Sequence, residues 1–341
     1  MTVHVGLIGA GNISDTHARA LRAMAGVEIA AVYAPTRSHA EQFAARYGVT
    51  AHDSLDLMLA QRPLDMVVIG TPSGLHAAHG IAAAARGLHV LVEKPIDVTA
   101  ARADALIEAA DKAGVTLGVI FQDRLKPGVQ RLKALVDTGR LGRPILANAR
   151  VKWYRPPSYY AGSRWRGTRA LDGGGALINQ GVHTVDLLLW LLGPVRCVFA
   201  KAITGLHAIE VEDTVVAVLE FSSGAVGTLE AATSAYPGYS RQIELTGTNG
   251  TIKLDGDDLA AIDLQDARAD ERAAGPTAPT VSAASAVVAD TSAHTRVLED
   301  FIGAVTRHSA PACDGRSGRW STALIDAIYQ SARTSQPVDL C

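Results

Sequence analysis

Val3-His4-Val5-Gly6-Leu7-Ile8-Gly9-Ala10-Gly11-Asn12-Ile13-Ser14 is an apolar run that breaks into glycines. It reads as a strand that stops at Gly9, followed by a helix from about Asp15 to Ala25. Gly9 permits a tight turn, Gly11 lets the backbone approach a pyrophosphate, and the start of the helix offers free amides and a positive dipole end to an anion. Gly9, Gly11, Asn12 and Ile13 are therefore candidate contacts for a dinucleotide cofactor. The third glycine of the fingerprint is replaced by Ser14. Glycines at a strand end can also be plain turn residues, but a strand before them and a helix after them is the context that cofactor binding needs.

Working outward, strand and helix patterns alternate. A strand over Val27 to Tyr33 leads to Ala34, where an acid would hydrogen-bond the ribose 2′-hydroxyl of NAD. The sequence has Pro35, Thr36 and Arg37 there instead, and a hydroxyl beside a guanidinium suits a 2′-phosphate. NADP is therefore expected ahead of NAD, with a solvated Arg37 at a helix start as the alternative. Helices over Ser38 to Tyr47 and Ser54 to Ala60 precede a strand over Met66 to Ile69. The turn after it carries Thr71, Pro72 and His76, and an alanine-rich helix runs on to Arg86. The next strand, His89 to Val92, ends in Glu93-Lys94-Pro95. Proline cannot continue a central ladder, so Lys94 stands at the carboxyl edge of the sheet, where open α/β sheets bind ligands. Thr71, Pro72, His76, Glu93 and Lys94 join the cofactor candidates, and Lys94 is also a candidate catalytic and substrate group; a solvated Glu93 and Lys94 pair, and a His76 that merely starts a helix without a ligand, are the alternatives. With a helix from Thr99 to Ala113 and a strand over Thr116 to Ile120, the fold class of this half is α/β, a doubly wound parallel sheet over residues 1–122.

Beyond residue 122 the pattern changes. A helix over Gly128 to Asp137 leads into strands over Ile145 to Lys152, Val195 to Ile203, Thr214 to Phe221, Ala225 to Ala232, Arg241 to Thr246 and Thr251 to Leu254. Ser222-Ser223-Gly224 and Thr248-Asn249-Gly250 supply hairpin turns. Residues 123–341 are thus expected to form an α+β domain with a mostly antiparallel open sheet that binds substrate. A bare sheet face tends to be covered, so that face is expected to be an assembly surface. Residues 266–293 turn to Ala, Ser, Thr, Asp and Pro and read as a surface loop, and helices around His294 to Arg307 and Gly318 to Arg333 close the chain.

The 341 residues suffice for two cores. A formal net charge of −2 gives no reason to expect nucleic acid or an anionic membrane as partner. Three cysteines without paired spacing suggest neither disulfides nor zinc, and no signal peptide or membrane-length apolar run is apparent. A cytoplasmic protein with a small-molecule partner and no metal fits best.

Two further stretches carry candidate chemistry. Leu171-Asp172-Gly173-Gly174-Gly175-Ala176-Leu177-Ile178-Asn179-Gln180-Gly181-Val182-His183-Thr184-Val185-Asp186 feeds a glycine loop into an apolar helix that Gly193-Pro194 ends. Asn179, His183 and Asp186 fall on one helical face as a polar stripe. A catalytic His183 and a core histidine satisfied by Asp186 are both open, with a metal site a third option for which the chain offers no further ligand cluster. Before it, Lys152-Trp153-Tyr154-Arg155-Pro156-Pro157-Ser158-Tyr159-Tyr160 and Ser163-Arg164-Trp165-Arg166 gather aromatic rings and guanidinium groups suited to a sugar ring and an attached anion. Tyr154, Arg155, Trp165, Arg166, Asn179 and His183 are the candidate substrate contacts. Trp153 and Tyr154, adjacent on a strand, point to opposite faces.

With Gly9-Ala10-Gly11-Asn12-Ile13-Ser14, Thr71-Pro72, His76, Glu93-Lys94-Pro95 and the glycine-rich stretch through His183 in order, the chain resembles the Gfo/Idh/MocA oxidoreductases over almost its whole length. The resemblance implies an N-terminal Rossmann domain, a C-terminal α/β domain whose sheet makes dimers or tetramers, and hydride transfer between NAD or NADP and a carbon of a sugar, nucleotide-sugar or cyclitol. It also implies that Lys94 hydrogen-bonds the reacting oxygen while His183, with its near-neutral intrinsic pKa, exchanges the proton. The family's aspartate four residues before the histidine is Asn179 here, and an amide cannot take up a proton. Asn179 is therefore expected to orient substrate or nicotinamide ribose, with Asp172 a further candidate. The rival reading from another class is a sensor that binds dinucleotide without turnover.

Overall fold

A computed structural model describes residues 2–266 and 291–340. These divide into two compact units, one of residues 2–122 and 291–319, the other of residues 123–266 and 320–340. The stretch 267–290, which holds most of the expected surface loop, lies outside the described residues.

The first unit alternates β1 (Val3–Ile8), α1 (Asn12–Arg22), β2 (Val27–Tyr33), α2 (Arg37–Tyr47), β3 (Thr50–His52), α3 (Leu55–Ala60), β4 (Met66–Ile69), α4 (His76–Ala84), β5 (His89–Glu93), α5 (Ala100–Ala113) and β6 (Leu117–Ile120). The strands form one parallel sheet in the order β3-β2-β1-β4-β5-β6, so the chain reverses direction across the sheet between β1 and β4. β4, the interior of β5 and β6 are buried apolar runs, as strands covered on both faces must be. The carboxyl ends of β1, β2, β4 and β5 share one edge, which gathers Gly9, Ala34, Thr71 and Lys94 as expected from the alternation. The short β3 carries only Thr-Ala-His and has no apolar signature to announce it.

One further helix, α9 (Ser292–Arg307), belongs with this unit and packs on α1 and β6. Phe301 takes the space over Gly118, where a Cβ would come within 2.6 Å of its ring. A division into two sequential blocks does not anticipate this return, because it depends on shape matching over nearly two hundred residues.

The second unit holds α6 (Pro127–Asp137), β7 (Pro144–Lys152), the single turn α7 (Ser158–Ala161), a π-helical segment Ala176–Gly181, α8 (Val182–Leu192) and β8 (Val195–Ile203) to β10: β9 is Thr214–Phe221 and β10 Val226–Ala232. β11 (Gln242–Gly247), β12 (Gly250–Asp255) and β13 (Asp258–Leu264) follow, then α10 (Gly315–Thr334), whose first residues count with the first unit, and β14 (Val338–Asp339). The sheet order is β13-β12-β11-β7-β10-β9-β8-β14, antiparallel throughout except where β10 lies parallel to β7. Strict alternation of buried and exposed positions along β9 shows one covered and one open face. The π-helical segment and α8 pack on the covered face.

Candidate active site

At the carboxyl edge of the first unit the backbone itself makes the cradle. Gly9 has φ +113°, and a Cβ there would sit 2.7 Å from the Gly70 carbonyl. Gly70 in turn admits no side chain, because its Cβ would meet Ile13 Cγ2 and Ser14 Oγ at 2.9 Å. The missing third glycine is thereby explained: Ser14 is buried, and the space that a glycine would have left is supplied by Gly70 on the neighbouring strand. Gly11 caps α1 with no side-chain hydrogen bond, and a Cβ on it would meet nothing within 4 Å. The first amides of α1 lie beside an open approach, which fits a pyrophosphate.

Behind this cradle the two loops that end β4 and β5 are fastened to α4. His76 is 1% exposed and places Nε2 2.9 Å from the Thr71 carbonyl and Nδ1 2.8 Å from that of Pro95. Burial pushes its imidazole below the ordinary value, while those carbonyls and Asp97 pull it back up. His76 thus braces the two loops from inside the edge where the cofactor is expected. Asp97 adds a second fastening by accepting from the amides of Ala77 and Val98. His79, not anticipated from sequence, contacts the Thr71 hydroxyl at 3.1 Å and stands edge-on to Tyr33; burial pushes it down to about 4. Thr71 and Pro72 remain half-buried at the edge.

Glu93, also expected at the cofactor edge, is engaged from the inside. It is 6% exposed and accepts from His17 Nε2 at 2.9 Å. Burial would raise its carboxyl, but the hydrogen bond and charge of His17, with His294 and Lys94, bring it down to about 2. Lys94, half-buried, follows at the tip of the strand. Arg37, the first residue of α2, has a side chain 76% exposed; its Nε donates to Glu41 at 2.8 Å and a second nitrogen lies 3.9 Å from Asp53. Thr36 caps α2 without a side-chain hydrogen bond.

In the second unit the glycine loop has a packing reason. A Cβ on Gly175 would overlap the Glu212 carbonyl, and one on Gly174 the Tyr329 hydroxyl. Glu212 then accepts from the amides of Gly175 and Leu177, each at 2.9 Å, and from Tyr329 at 2.8 Å. A carboxylate at that position stabilises the start of the helix, although burial raises it above the usual carboxylate range. The segment it starts is a π-turn, a form often found at functional sites. Over residues 174–188 every position is buried except Asn179, Gln180 and His183, so the polar stripe survives at those places.

Asp186 is no part of that stripe. It lies inside, bound to Arg124 through two bonds of 2.7 and 2.5 Å and to Ser321 at 3.3 Å. The acid near His183 is Asp123 instead: burial would raise its carboxyl, but Arg241, His183 and Lys126 hold it well below the usual range. Sequence spacing could not find Asp123, since it lies sixty residues away.

Asn179 donates to Asp172 at 2.5 Å and accepts from Gln180 at 3.0 Å. Asp172 spends its other oxygen on the amide of Gly167, next to Arg166, so it ties the arginine loop to the helix. Gln180 carries the chain onward, donating to the Tyr159 hydroxyl at 3.1 Å and accepting from Arg155 at 3.0 Å. Arg166 stacks on Tyr159 at 4.4 Å and on Trp165 at 5.2 Å, and Arg155 lies over the same Tyr159 ring at 5.6 Å and over Trp153 at 5.0 Å. The unit thus brings together Arg155, Trp165, Arg166 and Asn179, with Tyr159 and Gln180 as the members not assigned from sequence. Tyr154, just past the end of β7, stands edge-on to Tyr236 at 5.2 Å and has no ring contact with this group. No cluster of metal-ligating residues occurs among the described residues.

Comparison with known proteins agrees with both halves. Residues 3–121 match the oxidoreductase family with the NAD-binding Rossmann fold, and residues 129–253 match the GFO/IDH/MocA C-terminal domain. The rhizopine catabolism protein MocA of Rhizobium meliloti is 31% identical over 72% of this chain and 76% of its own. Inositol 2-dehydrogenase of the same organism, strain 1021, is 28% identical over the full length of both chains. The structure of the WlbA dehydrogenase from Bordetella pertussis, in complex with NADH and UDP-GlcNAcA, superposes with a TM-score of 0.91 at 33% identity, over 100% of this chain and 99% of that one.

Proposed function

The chain belongs to the GFO/IDH/MocA oxidoreductase family, whose NAD(P)-dependent hydride transfer at a secondary alcohol or ketone carbon of a sugar-like molecule it shares, and from that premise we propose that its substrate carries an anionic group. The observation that carries this reading is the pair of guanidinium groups stacked on one ring, Arg155 and Arg166 on Tyr159. Burial lowers Arg155, and the like charge of Arg166 lowers it further. A carboxylate or phosphate between them would relieve that repulsion and accept planar hydrogen bonds from both. A nucleotide-sugar acid, the type of molecule bound by the similar WlbA dehydrogenase, supplies such groups.

Bound nicotinamide would supply or accept the hydride. For the chain's own part, Lys94 hydrogen-bonds the reacting oxygen and His183 exchanges its proton. Asn179, held between Asp172 and Gln180, orients without exchanging a proton.

On the cofactor, the Arg37 guanidinium that suggested NADP already donates to Glu41 and faces Asp53, so a 2′-phosphate would compete with one acid and be repelled by another. That supports NAD(H). The open face of the second sheet carries Phe199, Val216, Val218 and Val226, each two-fifths or more exposed, and supports assembly of identical chains through it in the cytoplasm. A Val218→Glu substitution should then shift gel-filtration elution to the monomer.

The test is a fluorescence titration with NADH and NADPH, followed by turnover on a UDP-linked uronic acid, its neutral UDP-sugar counterpart and free inositol. We expect NADH to bind more tightly and the acid to be preferred, with Arg166→Met raising KM for the acid by roughly tenfold or more. Equal rates on acid and neutral sugar, unaltered by that substitution, would rule the anion site out.

A further inference from the structure

Beneath Lys94 the first unit buries an ionisable cluster to which the hydride transfer assigns no role. His17 lies on α1, Glu93 at the end of β5 and His294 on α9; all three are buried. His17 Nε2 meets one oxygen of Glu93 at 2.9 Å, and the other oxygen accepts the backbone N–H of Lys94 at 3.2 Å. The two oxygens are thus divided between a helix and the strand tip. The His17 ring is kept from swinging away by the edge of His294, 5.6 Å between centroids.

We propose that His17 is a positioning residue for Lys94, acting through Glu93. The helix that carries His17 begins with the amides suited to the cofactor pyrophosphate, so one rigid element sets both the cofactor's phosphates and the height of the strand tip. Just downstream of Lys94, the Pro95 carbonyl is held by His76 and the Val98 amide by Asp97. Upstream, Val92 is held in the ladder between β4 and β6. Lys94 sits between these fixed points, and the Glu93 carboxylate that takes its N–H is itself aimed by His17. The groups that face this carboxylate are His17, His294 and Lys94. Without the His17 donor, Glu93 is free to turn and the ammonium loses its aim at the reacting oxygen. This inference rests on the reading that Lys94 serves that oxygen.

The experiment compares His17→Phe, which keeps bulk but removes the donor, with His17→Gln, whose amide N–H can reach Glu93. Four quantities are read on the whole chain: kcat, KM, NADH affinity by fluorescence, and the rate at which an amine-acylating reagent labels Lys94, followed by peptide mass spectrometry. His17→Phe should lower kcat about tenfold or more with NADH affinity within about twofold, and should change the Lys94 labelling rate. His17→Gln should recover most of both. Wild-type kcat and labelling in His17→Phe would overturn the proposal. So would equal losses in both variants with weakened NADH binding, because that marks a packing role alone. A wild-type chain that binds NADH but oxidises no sugar would sink the substrate reading instead, and the labelling rate would still decide the role of His17.

Discussion

The carboxyl edge of the parallel sheet and the helix that carries His183 both present chemistry, but they are held by different means. The sheet edge relies on backbone and small residues: Gly9 against Gly70, amides of α1, and carbonyls of Thr71 and Pro95 gripped by His76. The helix is held by buried charge: Arg124 on Asp186, Glu212 on two amides, and Asp123 between Arg241 and Lys126. An edge that binds a phosphate through amides gains from close approach, and its buried acids, Glu93 and Asp97, lie behind the binding surface on His17 and on backbone amides. The helix that begins as a π-turn after a glycine loop has its first amides taken by Glu212 and its next turn tied to Arg124 through Asp186.

The largest effect that sharpens this contrast is expected at Arg124. Arg124→Met leaves the Asp186 carboxylate buried without its ion pair and should cost about 3–5 kcal/mol in urea unfolding. Adding Asp186→Leu should recover much of it, and a double variant as unstable as the single one would show that the pair matters for more than charge. Next is Lys94→Met, which should lower turnover roughly 10²-fold and spare NADH affinity; unchanged turnover would remove Lys94 from the mechanism.

Smaller still is the acid response of Glu93. Its folded carboxyl lies at about 2 against an ordinary 4.5, so the folded state binds fewer protons than the unfolded state between those values. Stability is therefore complete above about 4.5 and falls with pH through that window, by about 1 kcal/mol at pH 3.5. Glu93→Gln should flatten this part of the urea-stability profile, and an identical slope would mean that other carboxylates carry it. Least affected should be cofactor choice in Arg37→Ala, where the ratio of NADPH to NADH affinity should move by less than about threefold, since an exposed guanidinium already paired with Glu41 offers little to a ligand. A shift of tenfold or more would restore the NADP expectation.

Much of the site was legible wherever a local pattern has a local cause. Gly9 and Gly11 between a strand and a helix, Lys94 before a proline, and Asn179 and His183 as the polar positions of an apolar helix all follow from spacing and backbone chemistry. The pairing of Asp186 with His183 did not survive, because helical spacing places residues on a face without saying what lies opposite, and opposite Asp186 is Arg124. For His76 and Glu93, position at an edge was visible, but burial behind it was not.

Sequence alone determined the alternating parallel sheet and the change to hairpin-linked strands after residue 122, because periodicity and turn residues are properties of short segments. Tertiary structure alone decided that Gly70 stands in for the third glycine, that Asp172 aims Asn179, that Asp123 rather than Asp186 faces His183, and that α9 returns to α1. Each of these is a meeting of residues brought together by packing, and the energy of such a contact depends on a distance and a burial that no local pattern encodes.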